Sequence, residues 1–304
     1  PGWLSHSASY PFVLCASAHA CARCLANFNM RTFGLFVLFV STDGVRDAVY
    51  SFLSSLPNTC TSWADGHSDF TPYGGSDGFI SAYLLDYLQD ASVQHRFLKG
   101  LGSAFRPFIV STAVNGSVLN VADFEECGNI LGTFNVGDPG KDPRKILAIY
   151  MSHYYAWKHY AGSESSSPWA HVFEADTHWG PQAPRQLDAL RSALEKPELV
   201  GGVDIIYTGH CYEHVCPPHN ATLPKDLGEG VHAYPSIWPV CAHAYMITRR
   251  GAEILLENGN PMPDSVDQYM AGLIDKGKLK GLSICPMLFW QPWIDPNSSM
   301  PNHS

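Results

Sequence analysis

Between about residues 40 and 290, short apolar runs alternate with segments whose apolar residues recur at helical spacing. This alternation constrains the fold more than any other feature. Strands that alternate with helices are joined by crossovers, and crossovers cover both faces of a parallel sheet. The pattern opens with Thr32–Ser41 (TFGLFVLFVS), read as a buried strand ending at a Thr-Asp-Gly turn. Val45, Val49, Phe52 and Leu56 then predict a helix over 44–56, which Pro57-Asn58 ends. Residues 59–66 read as a second strand closing in a turn, which completes a βαβ unit.

Further along, 67–77 reads as a loop, 78–99 as a helix and 105–121 as extended chain. A loop over 132–144 leads to a helix at about 145–161 and a strand over 170–176 that ends in acids. Residues 184–196 are predicted helical on Leu187, Leu190 and Leu194, and 203–208 as a buried strand. The Cys-, His- and Pro-rich stretch 209–235 reads as irregular. Extended chain over 240–248, helices over 249–258 and 263–277, and a strand over 282–288 complete the pattern. The expected organisation is an unassigned segment 1–31, one α/β domain over 32–295 and a flexible tail 296–304.

The chain has 304 residues, a net charge of −9 and only 15% charged residues, below the ~25% usual for soluble domains. No basic stripe is visible, which argues against a nucleic-acid partner. An acidic balance is compatible with a nucleotide-sugar ligand, held through a metal ion and backbone N–H groups. Nine cysteines, with the sequons at Asn115, Asn220, Asn297 and Asn302, favour an oxidising, secretory setting and a glycoprotein. The run Thr32–Ser41 is far short of the ~20 residues that span a bilayer, so no transmembrane span is expected. It has the length of a signal-peptide core, but an amphipathic helix follows it and no small-x-small cleavage site does, which favours the strand. Cys21-Ala22-Arg23-Cys24 has no second pair and is a weak zinc signal.

Four constellations could carry chemistry. Glu174 and Asp176 follow an apolar strand and should emerge at the sheet's carboxyl edge, where open α/β sheets bind ligands. Their oxygens suit Mg²⁺ or Mn²⁺; the plain alternative is a solvated loop. His210-Cys211-Tyr212-Glu213-His214 matches the H-x-x-E-H zinc signature. A strand precedes it and Pro217-Pro218 follows, which leaves too little room for the helix that zinc hydrolysis needs. A cysteine-rich loop with Cys211, Cys216 and Cys241 as possible disulfide partners is the better reading. Ser152 and His153 are neighbours on a helix and cannot form a nucleophile dyad. Asp264 can cap a helix, with Asp267 in its first turn.

In order along the chain, these pieces resemble glycosyltransferase family 25, which includes lipopolysaccharide and collagen galactosyltransferases, and are most similar to its fungal-type members. The family's S-H-x-x-x-W helix is similar to Ser152-His153-Tyr154-Tyr155-Ala156-Trp157, and its L-E-D-D-V strand end to Phe173–Thr177. The strand pattern "D-hydrophobic-L-G-x-C" resembles Asp204 to Cys211. The segment P-x-C-T-H-A-Y followed by R-R-G-A-x-x-L-L resembles Pro239–Tyr245 and Arg249–Leu256. The family's P-x-D resembles Ser265-Val266-Asp267. Ala64-Asp65-Gly66 resembles its A-x-D-G more loosely, with Ala113–Gly116 as a rival match.

The resemblance implies a GT-A-like, Rossmann-type α/β fold with a mixed, mostly parallel sheet and helices on both faces. It implies a UDP-sugar donor, inverting transfer of galactose or glucose to the hydroxyl of a glycan or protein acceptor, and Mn²⁺ or Mg²⁺ with no organic cofactor. Glu174 and Asp176 would be the metal ligands, and Asp176 and Asp267 the catalytic carboxylates, with Asp267 the acceptor-side or base candidate. Asp65, Ser152, His153 and Glu174 would lie on the donor side, His243 and Tyr245 on the acceptor side. The implied location is the secretory lumen or outside the cell, with the cytoplasm as the alternative. Two departures stand out: Ala175 replaces the family's middle Asp, and Ala242 replaces Thr. A catalytically degenerate member acting as a binding module is the rival reading, and a zinc hydrolase built on His210, Glu213 and His214 is the third.

Overall fold

The computed structural model describes residues 63–66, 68–74, 78–131, 142–196, 201–211 and 225–292. The strand expected over 32–41 and the helix over 44–56 lie outside them. The described strands are β1 (Phe70–Tyr73), β2 (Ile80–Asp86), β3 (Phe108–Thr112), β4 (Trp169–Glu174) and β5 (His178–Trp179). They continue with β6 (Ile205–Gly209), β7 (Lys225–Gly228), β8 (Val231–Pro235), β9 (Ala244–Thr248), β10 (Gly281–Cys285) and β11 (Phe289–Trp290). The helices are α1 (Ala91–Leu101), α2 (Val121–Glu126), α3 (Pro143–Gly162), α4 (Ala183–Leu194), α5 (Arg249–Asn258) and α6 (Val266–Asp275).

Nine strands form one mixed sheet in the order β1-β3-β2-β4-β9-β6-β10-β8-β7, and β5 pairs with β11 in a small ribbon. β2 runs parallel to β3 and β4, and β10 parallel to β6. β9 lies antiparallel between β4 and β6, so β4 and β6 point the same way. With β7 antiparallel to β8, and β8 to β10, six strands share one direction and β1, β8 and β9 oppose them. This is the expected α/β class.

Helices cover both faces. α3, α5 and α6 pack through Tyr150, Trp157, Leu255 and Met270 onto Tyr83, Val172, Tyr207 and Tyr245. On the other face α1 and α4 pack through Phe97, Leu101, Leu187 and Leu190 onto Leu84, Phe173, Met246 and Ile284. Burial of these apolar faces is the main stabilising force. Asp142 caps α3, its side chain accepting the Arg144 N–H, and Pro143 occupies the first turn, where it gives up no helix bond.

Several expected elements are corrected. Residues 78–99 are not one helix but β2, a turn and α1. All seven residues of β2 are buried, so the run lacks the alternation that marks a half-exposed strand. The expected loop 67–77 contains β1, and Trp63–Asp65 forms a 3-10 turn where strand was expected. In 209–235, residues 225–235 form the β7–β8 hairpin, with positive φ at Gly228, Glu229 and Gly230 making the turn.

Candidate active site

The acidic pair sits where the sheet changes direction. β4 and β6 end, and β9 begins, at the same edge. There the Glu174 N–H donates to the His243 carbonyl (2.9 Å), and the Thr177 hydroxyl donates to the same oxygen (2.8 Å). The turn 174–177 is thereby fixed to the segment entering β9.

Each carboxylate has its own setting. Glu174, with its side chain 24% exposed, accepts from His153 Nε2 through Oε1 at 3.2 Å. Gln291 Nε2 lies 3.1 Å from Glu174 Oε2, and 3.2 and 3.1 Å from the two oxygens of the exposed Asp176. Three oxygens from both acids thus converge on one nitrogen. Hard oxygen donors collected at one point fit Mg²⁺ or Mn²⁺, so the residues present suit the expected ion.

Arg96 in α1 braces the turn from behind. It donates to the carbonyls of Thr177 (2.8 Å) and Ala175 (3.0 Å), and its guanidinium lies 4.9 Å from the ring centroid of Trp179. Burial lowers its pKa and the Asp176 charge opposes that shift. Ala175 therefore contributes a bound carbonyl and no carboxylate.

His153 belongs to a buried chain of contacts. A carboxylate only accepts, so His153 Nε2 carries the proton and, in the neutral ring, Nδ1 receives the Tyr245 hydroxyl at 2.9 Å. The Tyr245 oxygen in turn accepts from Trp157 Nε1 at 2.7 Å. Burial pushes the Tyr245 hydroxyl well above its ordinary pKa. His153 and Tyr245 are both wholly buried.

Several of the expected site residues lie inside the fold. Tyr245 and His243 are enclosed and present no side chain to an acceptor. His243 Nε2 faces the Phe289 carbonyl at 3.3 Å, and burial lowers its pKa to about 4 against the opposing pull of Glu174. Ser152 accepts the Val114 N–H and donates to the Ala148 carbonyl, so it ties loop to helix. His153 orients Glu174. Asp65 lies in the 3-10 turn, and its side chain is outside the described residues.

Asp267 starts α6. Its Oδ1 accepts from Ser265 Oγ (2.8 Å) and the Gln268 N–H (3.0 Å), and its Oδ2 has the longer contact to the Cys241 N–H (3.4 Å). Cys241 is joined by a disulfide to Cys211, just beyond β6. The segment Cys241–His243 therefore links Asp267 to the Glu174 turn. Cys211, Cys241 and His243 have ligand atoms within 4.8 Å of one another, but the sulfurs are bonded together, leaving the imidazole without thiolate partners. His210 is buried with Nε2 3.2 Å from the Ile284 carbonyl, while Glu213 and His214 lie outside the described residues.

Two residues of this site went unread in the sequence: Gln291 and Arg96. Both act across the fold, and nothing in their local spacing marks them. The remaining matched positions explain themselves structurally. Buried Asp204 accepts from Arg250 (2.7 Å) and from the Lys280 N–H (2.9 Å), and Arg249 caps the end of α3 through the carbonyls of Tyr160, Ala161 and Ser165.

No protein-family model matches this chain. It is 26% identical over 266 residues to procollagen galactosyltransferase 1 of Danio rerio. That match covers 82% of this chain and 41% of the relative. Among the described residues, no helix is long and apolar enough to cross a membrane.

Proposed function

We propose that the chain is a glycosyltransferase that moves a hexose, galactose or glucose, from a UDP-sugar to an acceptor hydroxyl with inversion, using Mn²⁺ or Mg²⁺. The observation that carries this reading is the convergence of Glu174 and Asp176 on one point at the carboxyl edge of the sheet. The similarity to a galactosyltransferase supports it independently. The ion supplies positive charge against the departing diphosphate. His153 holds Glu174 in place from inside the core, and Arg96 fixes the backbone between the two acids. Asp267 Oδ2 carries only a long contact and is the oxygen left to take the acceptor's proton. A glycan or protein acceptor then docks on the Asp267 side. The Cys211–Cys241 disulfide supports an oxidising, secretory compartment.

The test is calorimetry of the purified chain with UDP-galactose and UDP-glucose, with and without Mn²⁺. Mn²⁺-dependent binding is expected in the natural chain, and D176N should lose most of it. Absence of Mn²⁺-dependent binding across the common UDP-sugars overturns the reading.

Ala175 favours a second reading, a relative that binds without transferring. A175D separates the two: a large gain in transfer supports a degenerate site, and robust transfer by the natural chain disposes of it.

A further inference from the structure

Gln291 stands outside every motif described above, yet it touches both acids. It follows β11 directly, and the pairing of β11 with β5 (Phe289 with Trp179, Trp290 with His178) carries it over the Glu174–Thr177 turn. The residue is nine-tenths buried, at 8% exposure. An amide nitrogen has two hydrogens, and here three carboxylate oxygens share them. The amide oxygen takes no hydrogen bond among the described residues. That oxygen is open to solvent, so the protein uses only the nitrogen end of the amide.

We propose that Gln291 is the third protein ligand of the cation and a turnstile for it. Without the ion, the Nε2 hydrogens bridge Glu174 and Asp176 and offset their repulsion. With Mn²⁺ or Mg²⁺ bound, the same N–H groups face a positive charge and are repelled. The amide then turns about its terminal bond, a broad and soft torsion, and Oε1 faces the ion. The inference rests on the cation-site reading of Glu174 and Asp176 and deepens it: the donor set becomes two carboxylates and one amide oxygen.

The experiment titrates the full chain with Mn²⁺ alone and reads free Mn²⁺ by electron paramagnetic resonance. Q291L, of similar volume but without an oxygen, should bind Mn²⁺ about tenfold more weakly or worse. Equal or tighter binding by Q291L overturns the proposal, because an amide that merely blocked the ion would release the site on removal. Q291E covers the chance that Q291L fails to fold. It should melt below the natural chain without metal and show a larger stabilisation by Mn²⁺; no larger stabilisation overturns the proposal. If the natural chain takes up no Mn²⁺, the cation-site reading itself fails and this inference falls with it.

Discussion

Tyr245 shows how a residue inside a motif can be held wholly within the core. Its hydroxyl sits between Trp157 Nε1 and His153 Nδ1, and its ring stacks on His153 with centroids 5.7 Å apart. Y245F removes one oxygen and leaves two buried nitrogens unpaired. An unsatisfied buried polar group costs ~1–3 kcal/mol, and urea unfolding of Y245F should show a loss of that order. An acceptor contact would instead predict unchanged stability with a raised acceptor KM. The sequence placed Tyr245, His153 and Trp157 in named motifs, but it could not tell an inward-facing tyrosine from one that meets a ligand. That choice depends on which face of β9 meets α3, a tertiary fact.

At the scale of elements, α5 shows what sequence reads well. Its span 249–258 matches the expected one, because an amphipathic helix announces itself within its own length. Its first turn also locks three parts of the fold together. Thr248 caps it, Arg249 caps α3, and Arg250 pairs with Asp204 at the start of β6. Gly251 lies so close to this strand that a Cβ would stand 2.5 Å from the Asp204 carbonyl oxygen. Backbone cannot swing aside as a side chain can, so G251A should cost ~1–3 kcal/mol, read by thermal or urea unfolding. A neutral G251A would show that β6 can shift without loss. β2 illustrates the opposite case. β3 and β4 flank it and helices cover both of its faces, so its burial erases the period that identifies a strand.

At the scale of the whole molecule, two imidazoles are sealed in the sheet layer. His171 stacks on Phe173 at 3.8 Å and meets the Thr208 hydroxyl, while His243 lies beneath the Glu174 turn. Burial lowers both pKa values, to about 4 for His243. An unfolded histidine titrates near ~6.5, so below that pH the unfolded chain takes up protons that the folded chain refuses. Stability should therefore be full above pH ~6.5 and fall steadily as the pH drops towards about 4. Urea midpoints between pH 7.5 and 4.5 measure the slope, and H243Q should flatten it. An unchanged slope in H243Q would show that His243 titrates normally in the folded protein.

The sequence by itself determined the strands and helices after residue 143 apart from the β7–β8 hairpin and the β5–β11 ribbon, and it placed the Glu174–Asp176 pair at the end of an apolar strand. These are local properties, set by periodicities of two and 3.6 residues and by the chemistry of neighbouring side chains. Only the tertiary structure decided which of the motif residues face the core and which face the edge. It alone brought Arg96 and Gln291, 80 and 115 residues away in the chain from Asp176, onto the same turn. Their contacts arise because α1 packs under the sheet and the β5–β11 ribbon folds over it, and contacts of that separation leave no trace in local spacing.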